Sequence, residues 1–205
     1  MPSPTEMKQP VAPEFDFLAF WIQHKSKVVL FVVLLLVALL TFGIFQFTQY
    51  RARQAAARDF AQAKTADDYR KIADAHAGSA VAGNALLLLA EQLRAENKLE
   101  ESSAALQQFI AKYPNHPLGS GAWVSFAVNL ESQGKTDEAL ANYQKVATSY
   151  PTSFSAPAAL MAQARIFKTQ GKIEEAKRAY ETIIGQFGES MFARMALQEN
   201  RLLKK

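Results

Sequence analysis

Cysteine is missing from this 205-residue chain, so neither a disulfide framework nor a thiolate metal site can form. The absence fits an oxidising and a reducing compartment equally well. Histidine is scarce. His24, His76 and His116 are scattered, and none has a second histidine or a carboxylate three or four residues on, the spacing that would place a metal pair on one helical face. The chain has no glycine-rich phosphate loop and no G-x-S-x-G elbow. The net charge of +4 lies wholly after residue 49, because Lys8, Lys25 and Lys27 balance Glu6, Glu14 and Asp16 before it. Spread thinly over the rest, that excess is no nucleic-acid footprint, which needs a clustered basic face. No catalytic residue, cofactor site, metal site or small-molecule substrate is expected.

Charge is also missing from Val28 to Phe47, a run of twenty residues with no proline and one glycine. A helix of that length reaches roughly 30 Å, the thickness of a bilayer's hydrocarbon core. A buried core helix seldom shows an unbroken VVLFVVLLLVALL. A cleaved signal peptide has a shorter apolar region followed directly by its cleavage site. Here the nearest small residues, Ala55 to Ala57, lie beyond Arg51 and Arg53. A retained transmembrane helix over 28–47 is therefore expected. Lys25 and Lys27 flank it on one side, and Arg51, Arg53 and Arg58 on the other. The flanking charges do not decide orientation, and counted literally they lean toward a cytosolic C-terminal domain. Four prolines in residues 1–14 mark a disordered tail. The segment 15–27, with Phe15, Phe17, Phe20 and Trp21, suits a headgroup region, or is simply a greasy approach to the span.

Beyond the span, a pattern recurs at a spacing of 37 residues. Ala90, Ala127 and Ala164 align, as do Asn97, Gly134 and Gly171, then Leu106, Tyr143 and Tyr180, then Phe109, Val146 and Ile183. A shared period of this length indicates a helical repeat array. In the middle unit Trp123, Phe126, Ala127 and Leu130 form one apolar stripe at helical spacing. Gly134 then ends that helix, Thr136 is the expected cap of the next, and Asp137 and Glu138 fall in its first turn, where they suit the macrodipole. Ala139, Tyr143, Val146 and Tyr150 form the buried face, and Pro151 stops the helix. Glu100-Glu101 and Glu174-Glu175 recur at the same place, so their expected role is structural rather than acid–base catalysis. A helical stalk with a degenerate half-repeat is expected over 48–78, three repeats over 84–117, 121–154 and 158–190 within 79–190, and a C-terminal capping helix over 191–205.

Trp123, Phe126, Ala127, Leu130, Gly134, Ala139, Tyr143 and Pro151 resemble the tetratricopeptide repeat pattern. Leu86, Leu89, Ala90, Leu93, Leu106 and Pro114 follow it in the unit before, and Leu160, Ala164, Phe167, Gly171, Ala176 and Tyr180 in the unit after. Ser102 departs from it where alanine is usual, Gln163 where an apolar residue is usual, and Gly188 where proline is usual. The resemblance implies an all-α fold: a single N-terminal transmembrane helix, then a helical solenoid of about three helix pairs with terminal capping helices. The whole layout of tail, span, stalk and small repeat domain resembles the bacterial ancillary SecYEG translocon subunit family. That second resemblance implies a bacterial inner-membrane protein with a periplasmic repeat domain. Its implied partners are translocon subunits, periplasmic chaperones or exported chains. An envelope-assembly scaffold with one stable partner, and a cytosol-facing membrane scaffold, stay open as alternatives.

In such an array the first helix of each unit lines a concave groove. The positions flanking its core stripe are Asn84, Leu87, Glu91 and Arg94, then Val124, Val128 and Glu131, then Met161, Arg165 and Lys168. Leu87, Val124, Val128 and Met161 are the expected apolar floor, and Arg165 with Lys168 a positive rim. Such a groove suits an extended or helical apolar peptide with an acidic residue or a terminal carboxylate at the basic end. Alternatively, neighbouring helices or the helix after Ser190 cover these side chains.

Overall fold

A computed structural model describes residues 17–203; the tail at 1–14, Phe15 and Asp16, and the last two residues of the expected capping helix lie outside the described residues. Among the described residues the chain is all-helical: α1 (Phe17–Gln62), α2 (Ala66–Ala75), α3 (Ala80–Ala95), α4 (Leu99–Lys112), α5 (Gly119–Ser132), α6 (Thr136–Ser149), α7 (Ala156–Thr169), α8 (Ile173–Gln186) and α9 (Met191–Leu202). It divides into two compact units, Met1–Arg53 and Gln54–Lys205.

The first unit is described through its part of α1. Gly43 is the only backbone weak point in the apolar run, so the helix passes through it unbroken. Large side chains from Val29 to Phe47 are exposed on every face. Among the described residues α1 alone is long and apolar enough to cross a membrane.

The second unit begins with the last turns of α1. Phe60 packs its ring on Tyr69 at 6.1 Å, and Asp59 meets His76 Nε2 at 2.8 Å. Thr65 caps α2 in a reciprocal box with Asp68: the Thr65 hydroxyl accepts from Asp68 N–H, and the Asp68 carboxylate accepts from Thr65 N–H. The Thr65 hydroxyl, together with the backbone N–H groups of Lys64 and Thr65, holds the Asp68 carboxyl below its ordinary range. From α2 onward, helices pack chiefly on their neighbours in sequence, and the first helices α5, α7 and α9 also touch in succession.

The three helix pairs turn by one device. Asn97, Gly134 and Gly171 take φ of 60°, 77° and 73°, the left-handed conformation open to glycine and tolerated by asparagine. In each turn the following lysine N–H reaches back to a carbonyl of the first helix: Lys98 to Leu93, Lys135 to Leu130 and Lys172 to Phe167, at 2.8–2.9 Å. This tight turn corrects the expected capping by Thr136. Lys135 occupies the cap position without a side-chain hydrogen bond, and Thr136 is already the first helical residue.

Within each pair, small residues meet where the helices cross. Ala90, Ala127 and Ala164 and their partners Ser102, Ala139 and Ala176 are all essentially buried. Phe109, Val146 and Ile183 are fully enclosed. Their burial stabilises by roughly 2 kcal/mol or more apiece, so the register of the repeat is set by its core.

Candidate functional site

Two hollows carry most of the expected groove residues, and both lie within the second unit. The smaller, about 250 Å³, is lined by Leu87, Glu91 and Arg94 of α3 together with Leu118, Gly121 and Ser125. The larger, about 840 Å³, is lined by Val124 and Val128 of α5 and by Met161, Arg165 and Lys168 of α7. Asn84 lines neither hollow. Glu131 stands beside the larger one, bonded to residues that line it.

The larger hollow is mostly apolar. Val124, Val128, Ala158, Met161 and Ala162 line it from the first helices, and Met195, Gln198 and Glu199 of α9 stand opposite as a wall. The helix after Ser190 therefore bounds the hollow, and a volume of the size that takes several side chains remains. Its direction is fixed by Ser190, whose hydroxyl accepts from Ala193 N–H at 3.1 Å. Two methionines, Met161 and Met195, give this lining an adaptable surface.

Tyr143 and Tyr180 also line it. Sequence reasoning placed both in the buried face of the second helix. They do fill that face, at 1% and 2% exposure, but their rings reach through between first helices to the groove side. Their equal position in the repeat is the signal that points to them. Burial raises the pKa of both phenols, and the neighbouring Glu131 and Glu199 carboxylates add to it.

The positive rim expected of Arg165 and Lys168 is corrected by the structure. Arg165 binds Glu131 through both guanidinium nitrogens, at 2.6 and 2.8 Å, and Tyr143 donates to the same carboxylate at 3.3 Å. Lys168 binds Glu199 at 2.7 Å. Each cation thus meets a carboxylate from the first helix of an adjoining unit, because successive first helices lie side by side. The Arg165 guanidinium holds the Glu131 carboxyl below its usual range, and Glu131 in turn raises Arg165. Lys168 is raised by its bond to Glu199. The outcome is an apolar hollow edged by two closed ion pairs. In the smaller hollow, Glu91 and Arg94 make no ion pair among the described residues.

Ser102, which departs from the repeat pattern, gains a role. Its hydroxyl donates to Ala90 C=O at 2.6 Å and accepts from Asn129 Nδ2 at 2.8 Å, all fully buried. Asn129 was missed in the sequence. The signal was its place one helical turn before the end of a first helix, where the next unit has Ile166.

Among the described residues no group of three histidine, aspartate or glutamate side chains is placed to hold a metal ion. The arrangement offers an apolar receptacle edged by paired charges.

The profile of the tetratricopeptide repeat-like domain matches residues 18–200. The chain belongs to that family. The match takes in the apolar helix as well as the repeats, so both are parts of one family pattern. Among curated proteins nothing matches. A solved tetratricopeptide repeat protein from Parabacteroides merdae ATCC 43184 is similar in structure, with a TM-score of 0.55 and 14% identity, over 68% of this chain and 52% of that one. The chain thus spans about half the length of that protein, and the likeness at this identity is one of fold. Tetratricopeptide-like repeats are generally protein-binding scaffolds, and that coarse function holds for this family member.

Proposed function

We propose that the larger hollow captures an apolar peptide segment of another protein, and that α1 anchors this binding module in a membrane. The observation that carries the reading is the apolar lining of Val124, Val128, Met161 and Met195, with its flanking charges already paired. A groove whose ions are closed loses little on dehydration and selects apolar partners. The long exposed apolar stretch of α1 supports the anchor. On the resemblance of the whole layout, the module is an accessory subunit of the Sec export apparatus in a bacterial inner membrane. Its repeat domain would face the periplasm and pass exported chains to chaperones.

The test places a photo-crosslinking amino acid at Met161 of the full chain, in membrane vesicles holding an arrested exported protein. Crosslinks to that protein are expected, and Val128→Asp with Met161→Asp is expected to abolish capture while the helical circular dichroism signal stays intact. Loss of helix together with capture would make these core residues and end the groove reading. Orientation is tested separately with Asp137→Cys and a membrane-impermeant maleimide. Arg51, Arg53 and Arg58 after the apolar run favour the cytosol-facing scaffold as second reading. Labelling from the cytoplasmic side alone would establish it and remove the export role.

A further inference from the structure

Charge is divided between the two edges of the repeat domain. Residues 75–90, 113–130 and 146–164 contain no aspartate, glutamate, lysine or arginine. Each run covers the turn between units and most of the next first helix, and the third also takes in the last turn of α6. The opposite edge, where first helix turns into second, holds Glu96, Lys98 and Glu100 in one unit and Lys135, Asp137 and Glu138 in the next. On the charge-poor edge large apolar side chains stand out into solvent: Leu118 is 40% exposed, Phe154 67% and Met191 60%. Pro117, Phe154 and Met191 occupy the same place in the repeat. The turn of Met191 is the exception in charge, since Glu189 and Arg194 lie beside it.

That edge is also the one by which the chain joins the domain. The last turns of α1 run antiparallel to α2, with Gln62 and Ala63 near Asp68 and Asp59 bonded to His76 at the far end of α2. Gln54 therefore lies toward the turn at His76–Ser79, the first of the charge-free turns. The apolar run ends at Phe47, seven residues earlier in the chain, and seven residues reach at most about 25 Å. An edge so close along the chain to a membrane span, with charge only at its two ends, Asp59 against His76 at the first turn and Glu189 with Arg194 at the last, and carrying aromatic and aliphatic tips between them, matches what settles at a bilayer surface. Lys112 borders one run from the end of α4, where an ammonium can meet lipid phosphate.

We propose that this charge-poor edge, with Leu118 and Phe154 at its crest and Met191 at its end, rests in the interfacial zone of the bilayer that α1 crosses. The proposal depends on the reading of α1 as a span. It leaves the charged edge in water.

Because the chain has no cysteine, single labels report cleanly. Thr152→Cys keeps Phe154 in place, and Lys135→Cys marks the charged edge. Each full-length variant is labelled with an environment-sensitive fluorophore and reconstituted into phosphatidylethanolamine–phosphatidylglycerol vesicles. Flotation with the vesicles comes first, and its failure removes the span itself. In floated protein, blue-shifted emission at position 152, quenched by shallow spin-labelled lipid, is expected, with water-like emission at 135. Leu118→Ser with Phe154→Ser is expected to cut the quenching at 152 at least twofold with the helical signal unchanged. Water-like emission at 152 in floated protein overturns the edge proposal alone and leaves the edge for a protein partner. Equal quenching at 152 and 135 overturns it as well, since the whole surface would then be adsorbing.

Discussion

The junction of the first repeat with the second and that of the second with the third use the same geometry with different chemistry. At the first, Ser102 and Asn129 form a buried hydrogen-bonded joint that includes the Ala90 carbonyl. At the second, the corresponding residues are Ala139, Ile166 and Ala127, all buried and apolar. Serine has changed with asparagine, and alanine with isoleucine. The difference shows that the crossing of a second helix with the next first helix accepts either solution, provided both members change together. An amide without its hydroxyl would be stranded, and an isoleucine would not bond the hydroxyl. Asn129 Oδ1 stays without a partner even in the matched joint, so the polar version has a standing cost that the apolar one avoids.

The largest way to break the comparison is to put one chemistry's residue in the other's place. Ile166→Asn removes a buried aliphatic group and strands an amide against Ala139, so it is expected to cost roughly 3–5 kcal/mol. Urea denaturation of the full chain in detergent, followed by circular dichroism, reads this as a fall in midpoint. Next comes Ser102→Ala, which leaves the Asn129 amide group without its acceptor and is expected to cost about 1–3 kcal/mol. Adding Asn129→Ile copies the apolar joint onto the first junction. The double variant is expected to return to within about 1 kcal/mol of the parent, a coupling that a double-mutant cycle measures. Simple additivity of the two changes would show that the two side chains do not act as a joint.

The smallest effect belongs to the ion pair that bridges the first helices of the second junction. Glu131 has its folded pKa depressed by Arg165. The pair's contribution is therefore present above the ordinary value of 4.5 and lost as pH falls through the folded value below it. Arg165→Ala is expected to cost about 0.2–1 kcal/mol near neutrality. The Tm gap to the parent should close as pH drops below 4.5. A gap that stays constant down to pH 3 would remove Glu131 from the explanation.

The helices and their turns were legible because they follow from residue type. Glycine or asparagine after an apolar stripe gives a left-handed turn, and alanine at the crossing gives close approach. The second unit therefore follows its sequence pattern closely. The partners of Arg165 and Lys168 were not legible. They lie 34 and 31 residues away, not 37, since a contact between side-by-side helices depends on their offset, which the period does not contain. Ser102 was visible as an oddity, but its meaning required Asn129, and nothing local ties an asparagine in one helix to a serine in another. The hollow's far wall was partly hidden for the same reason. Met195 falls within the expected capping helix, and only the packing of α9 on α7 turns it toward Met161.

The neighbour-on-neighbour packing of α2 to α9 also has a consequence in time. Each helix finds its partners within a few tens of residues, so few long loops must close before contacts form, and such topologies fold fast. A helix pair can set as soon as its own stretch of chain is free, without waiting for the C-terminus. The repeats would then be laid down in order from α2 toward α9. The larger hollow, which needs α9 for its wall, would be the last part to take shape.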